Sequence, residues 1–138
     1  PLIWEDFIDL FKPSLDILSK QLNKRFDYTM YDPWLNLYNR NYYQEIHDHA
    51  GLDLSSVFFA NDGIDFGKFF FVDRNSCNFS EVYEDLISYS NHHQPTVKRG
   101  DIIFFSSHLL HGVSSHESDV TRKTLSVNFK LNKVNEYN

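Results

Sequence analysis

From Trp34 to Leu131 the chain is a succession of short apolar or alternating runs: WLNLY, YYQEIH, LSSVFFA, KFFFV, DIIFF, LLHGV and TLSVNFKL. They are separated by NR, NDG, DRNS, KRGD and SSHESD, clusters of turn-forming residues. Runs this short, punctuated in this way, specify strands and turns rather than long helices. Seven or eight such strands predict an all-β barrel or sandwich. The residues before them follow another period. In PLIWEDFIDLFKPSLDILSKQLNKRF, Leu2, Ile3, Phe7, Leu10, Phe11, Leu15, Ile17, Leu18 and Leu22 recur at spacings of three and four, interrupted by Pro13. That spacing predicts two helices, with Pro13 in the first turn of the second, where a missing N–H is tolerated. Val82, Tyr83, Leu86 and Ile87 predict one more helix within residues 80–90, capped by Ser80. The expectation is a mainly β chain forming a single domain over residues 1–138, with 1–26 a helical buttress and 33–131 the core.

Composition excludes several function classes. With 13 basic and 19 acidic residues the net charge is −6, and no run of like charge reaches five residues, so no nucleic-acid footprint is present. The 13 Phe, 8 Tyr and 2 Trp supply enough apolar surface to close a core without disulfides. Cys77 is the sole cysteine, which excludes an internal disulfide and a cysteine-based zinc cluster and points to a reducing compartment. No apolar stretch approaches the ~20 residues of a membrane span, and residues 1–20 lack a secretory pattern. A soluble, cytoplasmic protein without membrane contact is expected.

Seven histidines stand at His47, His49, His92, His93, His108, His111 and His116. If QEIHDHAG is a strand, His47 and His49 project from one face, where both imidazoles can meet one ion, and Asp48 points the other way. His111, in an apolar strand farther on, would face them across a closed barrel. Two ligands from one strand and one from another make a facial metal site with open positions; two solvent-facing or packed histidines are the simpler reading of the same spacing. His92 and His93, in SNHHQP, read as loop residues, His116 as exposed and His108 as a surface residue.

Arg122 opens an alternating strand with Thr124, Ser126, Asn128 and Lys130 on one face and Leu125, Val127, Phe129 and Leu131 on the other. A hairpin from His111 would carry its guanidinium to within a barrel width of the ion, able to hold a carboxylate bidentately, with the Thr124 hydroxyl beside it. Asn36 and Tyr38 show the same alternation, and polar residues on an inner face indicate a wet cavity; an outward polar row fits the pattern equally well.

Together, YYQEIHDHAGLDLSSVFFA, GKFFFVDRN, VKRGDIIFFSSHLLHGV and RKTLSVNF resemble the Fe(II)/2-oxoglutarate-dependent oxygenases, especially the short prolyl-4-hydroxylase-like members of bacteria and bacteriophages, over residues 33–131. The most specific part is a Gly-Asp turn into an apolar strand, a His in LLHGV, and an Arg eleven residues later followed by x-Thr. The resemblance implies a double-stranded β-helix (jelly roll) and Fe(II) and 2-oxoglutarate as cofactors, with ascorbate as a candidate reductant. It makes His111 the distal iron ligand and Arg122 the partner of the far carboxylate of 2-oxoglutarate, with Thr124 beside it and Tyr38 and Asn36 as further candidates for holding the cofactor. The family's usual His-x-Asp or His-x-Glu is replaced by His47-Asp48-His49. Three imidazoles from His47, His49 and His111 then form the site, or Asp48 turns inward in place of His49. A third arrangement, like that of the halogenating branch, makes His49 the first ligand with Gly51 at the carboxylate position. The implied reaction consumes 2-oxoglutarate and O2, releases succinate and CO2, and hydroxylates an unactivated C–H of an unidentified substrate, a protein or peptide side chain being one candidate. Val57, Phe58, Phe59, Phe69, Phe71, Ile103 and Phe105 are candidates to line an apolar cavity. A bacteriophage protein of this type would work in the host cytoplasm. Two rival readings are a three-histidine cupin-type metalloenzyme that uses no 2-oxoglutarate, and a non-catalytic jelly-roll binding or virion module.

Overall fold

The computed structural model describes residues 3–75 and 79–134; Cys77 lies outside the described residues. The element order is α1 (Trp4–Leu22), β1 (Phe26–Tyr38), β2 (Gln44–His47), β3 (Leu54–Phe59), β4 (Phe69–Val72), α2 (Glu81–Leu86), β5 (His92–His93), β6 (Ile102–Ser106), β7 (Leu110–Val113) and β8 (Arg122–Lys133). Two four-stranded sheets result, ordered β1-β8-β3-β6 and β2-β7-β4-β5, with every pairing antiparallel. This is the expected jelly roll. Consecutive strands alternate between sheets over much of the chain, so residues distant in sequence meet across the gap between the two layers.

β8 holds the architecture together because both of its faces are used. Val127 and Phe129 are fully buried on one face, beneath α1 with Phe7, Phe11, Leu15 and Met30. Arg122, Thr124, Ser126 and Asn128, on the other, are buried polar residues turned between the sheets. The period-two pattern of the sequence thus separates a dry layer from a polar cavity.

β1 changes face halfway along. Before its irregularity Met30 pairs with Phe129 and Tyr28 with Leu131, on the α1 side; after it Trp34 pairs with Ser126, Asn36 with Thr124 and Tyr38 with Arg122, on the cavity side. The register shifts between Tyr31 and Trp34, where Asp32 takes a positive φ of 50° and Pro33 has no N–H to donate. One extra residue turns all later side chains to the opposite face. Asp27–Tyr31, to which the sequence assigned no element, is therefore strand, as is Phe26, which was expected in the helical buttress.

The opening segment is one helix rather than two. α1 runs through Pro13, whose side is exposed, while Phe7, Phe11 and Leu15 form one buried stripe on either side of it. A stripe shared by both halves, packed on Met30 and Phe129, outweighs the ~3 kcal/mol that an interior proline costs. α2 follows the sequence reading in a shorter form, with the Ser80 hydroxyl accepting the Tyr83 N–H at 3.2 Å. No helix among the described residues is long and apolar enough to cross a membrane.

Phe11→Ala should lower unfolding free energy by about 3–5 kcal/mol, since it opens a cavity at a fully buried position. Pro13→Ala should raise it by about 1–3 kcal/mol, since it restores a helical N–H at an exposed site without touching the stripe. Urea unfolding of both variants checks the pair.

Candidate metal and carboxylate site

His111 lies in the middle of the second sheet. β7 pairs it with His47 of β2 on one side and with Phe71 of β4 on the other. Gly112 beside it admits this crowding: a Cβ there would stand 2.9 Å from the Gln44 carbonyl oxygen and 3.0 Å from the Phe70 ring. His49 lies beyond the end of β2, so strand alternation alone does not align it with His47. Its N–H instead donates to the Ser107 carbonyl at 2.8 Å, which swings the segment toward the turn before β7.

The three imidazoles converge. Their ligating nitrogens all lie within 4.8 Å of one another, and the ring centroids of His47 and His111 are 4.2 Å apart. His47 Nδ1 lies 2.7 Å from the Glu45 carbonyl oxygen and His111 Nδ1 2.8 Å from that of Leu109. A carbonyl only accepts, so both Nδ1 atoms are protonated and Nε2 is the nitrogen each ring has left to present to an ion. His49 Nε2 faces His111 Nε2 at 3.2 Å, close to the ~3 Å between neighbouring ligands of one ion bound at ~2.1 Å. The carbonyls that hold His47 and His111 are the outer partners by which proteins orient metal-binding imidazoles.

Electrostatics favours neutral rings. Burial pushes the His111 pKa down to about 4, and burial followed by the neighbouring His47 lowers that of His49. Asp48 stands apart: its carboxylate forms an ion pair with Arg74, which holds its pKa below the ordinary carboxylate value. The structure therefore brings His47, His49 and His111 together and turns Asp48 away. Gly51, at φ 87° in the following turn, has no side chain to offer.

Arg122 is 3% exposed. Its guanidinium carbon lies 4.8 Å from the Tyr38 ring centroid and 5.6 Å from that of Phe59. Nη1 has no hydrogen-bond partner and is the single buried side-chain polar atom so placed among the described residues. Burial lowers its pKa, yet a guanidinium stays protonated, so the cavity contains a fixed positive charge with an unused donor. An unsatisfied charged donor costs several kcal/mol and is retained where an anion completes it.

The same cavity is lined by the three histidines and by Arg122, Thr124, Tyr38 and Asn36. Asn36 is oriented from two sides: its Oδ1 accepts the Trp34 indole N–H at 2.8 Å and its Nδ2 donates to Ser126 Oγ at 3.1 Å. Of the apolar candidates, Val57, Phe69 and Phe105 line it. Phe59, Phe71 and Ile103 pack in the surrounding core, and Phe58 belongs to the layer beneath α1. Ser126 and Asn128, from the Arg122 face of β8, also line the cavity, as do Gln44 and Ser55, to which the sequence pattern did not point. The serine pair inside the apolar run LSSVFFA was the available signal for Ser55.

The remaining histidines divide. His108 is at the surface as expected. His92 and His93 are exposed but form the two-residue edge strand β5, stacked on Phe70 and Phe71, rather than a loop. His116, expected at the surface, is fully buried. Its Nδ1 accepts the Gly67 N–H at 3.1 Å and its Nε2 donates to the Val120 carbonyl at 2.7 Å, so it cross-links the loop before β8. Its polar neighbours in SSHESD gave no sign of this.

A family model described as "Putative 2OG-Fe(II) oxygenase" matches residues 32–128. Among solved structures, the chain is similar to an oxidoreductase of the 2OG-Fe(II) oxygenase family from Burkholderia pseudomallei (14% identity, TM-score 0.66, covering 83% of this chain and 50% of that one). It is also similar to SnoK, a non-heme α-ketoglutarate-dependent carbocyclase of nogalamycin biosynthesis (15%, 0.65, 91% and 59%). A prolyl-4-hydroxylase from Pseudomonas putida is a third (15%, 0.57, 91% and 65%). The chain thus spans between half and two thirds of the length of these structures. No curated protein sequence matches it.

Two outcomes are expected of the metal-free protein. Above about pH 6.5, the ordinary histidine value, His111 and His49 are neutral in both the folded and unfolded chain. As the pH falls below that value the unfolded chain takes up protons that the folded one refuses, so stability declines toward pH 4. Denaturant midpoints between pH 7.5 and 5.5 should show the decline, with a shallower slope for His111→Asn. Arg122→Met should leave the ligand-free protein as stable or up to ~3 kcal/mol more stable, because it removes a buried unpaired charge.

Proposed function

Because the chain belongs to the 2OG-Fe(II) oxygenase family, we propose that it is an Fe(II)- and 2-oxoglutarate-dependent dioxygenase that hydroxylates an unactivated C–H bond. The observation that carries this reading is the unpaired Nη1 of buried Arg122 in one cavity with three converging imidazoles. A histidine cluster alone serves many metal enzymes. A buried cation beside it calls for an anionic co-substrate, which a three-histidine enzyme without 2-oxoglutarate does not need.

His47, His49 and His111 would hold the iron, leaving the remaining positions to the keto-acid end of 2-oxoglutarate and to O2. When bound, iron couples decarboxylation of 2-oxoglutarate to succinate and CO2 with oxidation of the substrate C–H. The chain's own residues orient and shield. Arg122 pairs with the far carboxylate, the stacked Tyr38 ring holds the guanidinium in place, and Thr124, 2% exposed, offers a hydroxyl. Asn36, fixed by Trp34 and Ser126, presents an oriented amide to the cofactor. Val57, Phe69 and Phe105 exclude water from the apolar side of the cavity. Since the three imidazoles bring no charge, the two carboxylates of 2-oxoglutarate would neutralise most of the positive charge of the ion and Arg122.

A protein or peptide side chain is the substrate we favour, on the likeness to the Pseudomonas putida prolyl-4-hydroxylase. Ascorbate would serve as reductant, and the reducing cytoplasm is the compartment that suits Fe(II).

Anaerobic protein loaded with Fe(II) and titrated with 2-oxoglutarate should develop a saturable visible charge-transfer band. His111→Ala should abolish it, and Arg122→Ala should demand about 100-fold more 2-oxoglutarate, the ~2–3 kcal/mol scale of a charged hydrogen bond. Stoichiometric iron binding without a band would favour the three-histidine enzyme. Absence of iron binding would leave a jelly-roll binding module.

A further inference from the structure

We infer that Arg74 is a positioning residue that decides which side chain of the His47-Asp48-His49 segment faces the metal. The inference rests on the metal role proposed above. Arg74 follows β4 in a braced turn: Asp73 Oδ1 accepts the Asn75 N–H at 2.8 Å, the Tyr89 hydroxyl donates to the same carboxylate, and the Asp73 N–H donates to the Asn91 carbonyl at 2.9 Å. From this turn Arg74 Nη2 donates to the Asp48 carboxylate and, at 2.6 Å, to the His108 carbonyl.

Both acceptors are adjacent to ligands. Asp48 separates His47 from His49, and His108 lies three residues before His111. One guanidinium therefore ties the segment carrying two imidazoles to the turn that leads into the strand carrying the third. The tie has a chemical consequence. A carboxylate next to His47 would compete strongly for a divalent cation and could displace an imidazole from the donor set. The ion pair with Arg74 keeps the carboxylate outside. The Ser107 carbonyl holds the His49 backbone from the other side at 2.8 Å. Arg74 is half exposed, so its replacement leaves no buried charge behind.

The test uses Co(II) added to the metal-free full chain, read by its visible ligand-field bands and by its affinity, without reference to turnover. In Arg74→Gln the bands should move from those of the wild type, because Asp48 now enters the donor set. In Arg74→Gln/Asp48→Asn the wild-type bands should return with affinity about 10-fold weaker, the low end of what outer positioning groups contribute, because the segments that carry the ligands are no longer tied together. Arg74→Lys, which keeps a cation on the turn, should retain the wild-type bands and guards against a folding defect in the glutamine variant. Wild-type bands in Arg74→Gln together with wild-type affinity in the double variant would overturn the inference while leaving the metal site standing. Failure of the wild type to bind Co(II) would overturn the metal reading itself.

Discussion

A guanidinium buried with an unused donor constrains nearly everything around it. Arg122 opens β8, and the strand's period of two places Thr124, Ser126 and Asn128 behind it on the same face. That face cannot be a dry core, because a protonated Arg without a partner is unstable in one. The two sheets therefore enclose a polar cavity beside it, flanked by the apolar cluster of Val57, Phe59, Phe69, Phe105 and Val113, and the opposite face of β8 closes a second apolar layer. Phe7, Phe11 and Leu15 of α1 complete it there by covering Val127 and Phe129.

The metal end of the cavity follows a complementary logic. Burial and mutual proximity favour neutral imidazoles at His49 and His111, and backbone carbonyls direct the Nε2 atoms of His47 and His111 inward. The one carboxylate of the segment is held outside by Arg74. A site of neutral ligands next to a fixed cation is short of negative charge, and a dianion that reaches both ends supplies it.

Much of this was legible because it depends on period. The alternation in RKTLSVNFKL and WLNLY put Arg122 with Thr124, and Asn36 with Tyr38, each on one face, but left inward and outward equally open; the structure turns both faces into the cavity. What escaped reading depends on tertiary contacts. Pro13 suggested a break that shared packing on Phe129 overrides. The bulge at Asp32 and Pro33 concealed the first half of β1, because even-numbered residues change faces there. His116 looked like a loop residue until Gly67 and Val120 were seen to close around it. His49 reached His47 through a hydrogen bond to Ser107 rather than by strand alternation. The contact of Arg74 with Asp48 joins residues 26 apart whose segments carry no mark of each other.

The central claim is that Arg122 waits for the far carboxylate of a 2-oxo diacid. Binding of 2-oxoglutarate and of 2-oxopentanoate, which keeps the keto-acid end and lacks the far carboxylate, should be compared by calorimetry on anaerobic Fe(II)-loaded protein. The account predicts that the wild type binds the diacid about 100-fold more tightly, a difference of ~2.7 kcal/mol, and that Arg122→Met binds the two alike. Equal affinity of the wild type for both acids would contradict it.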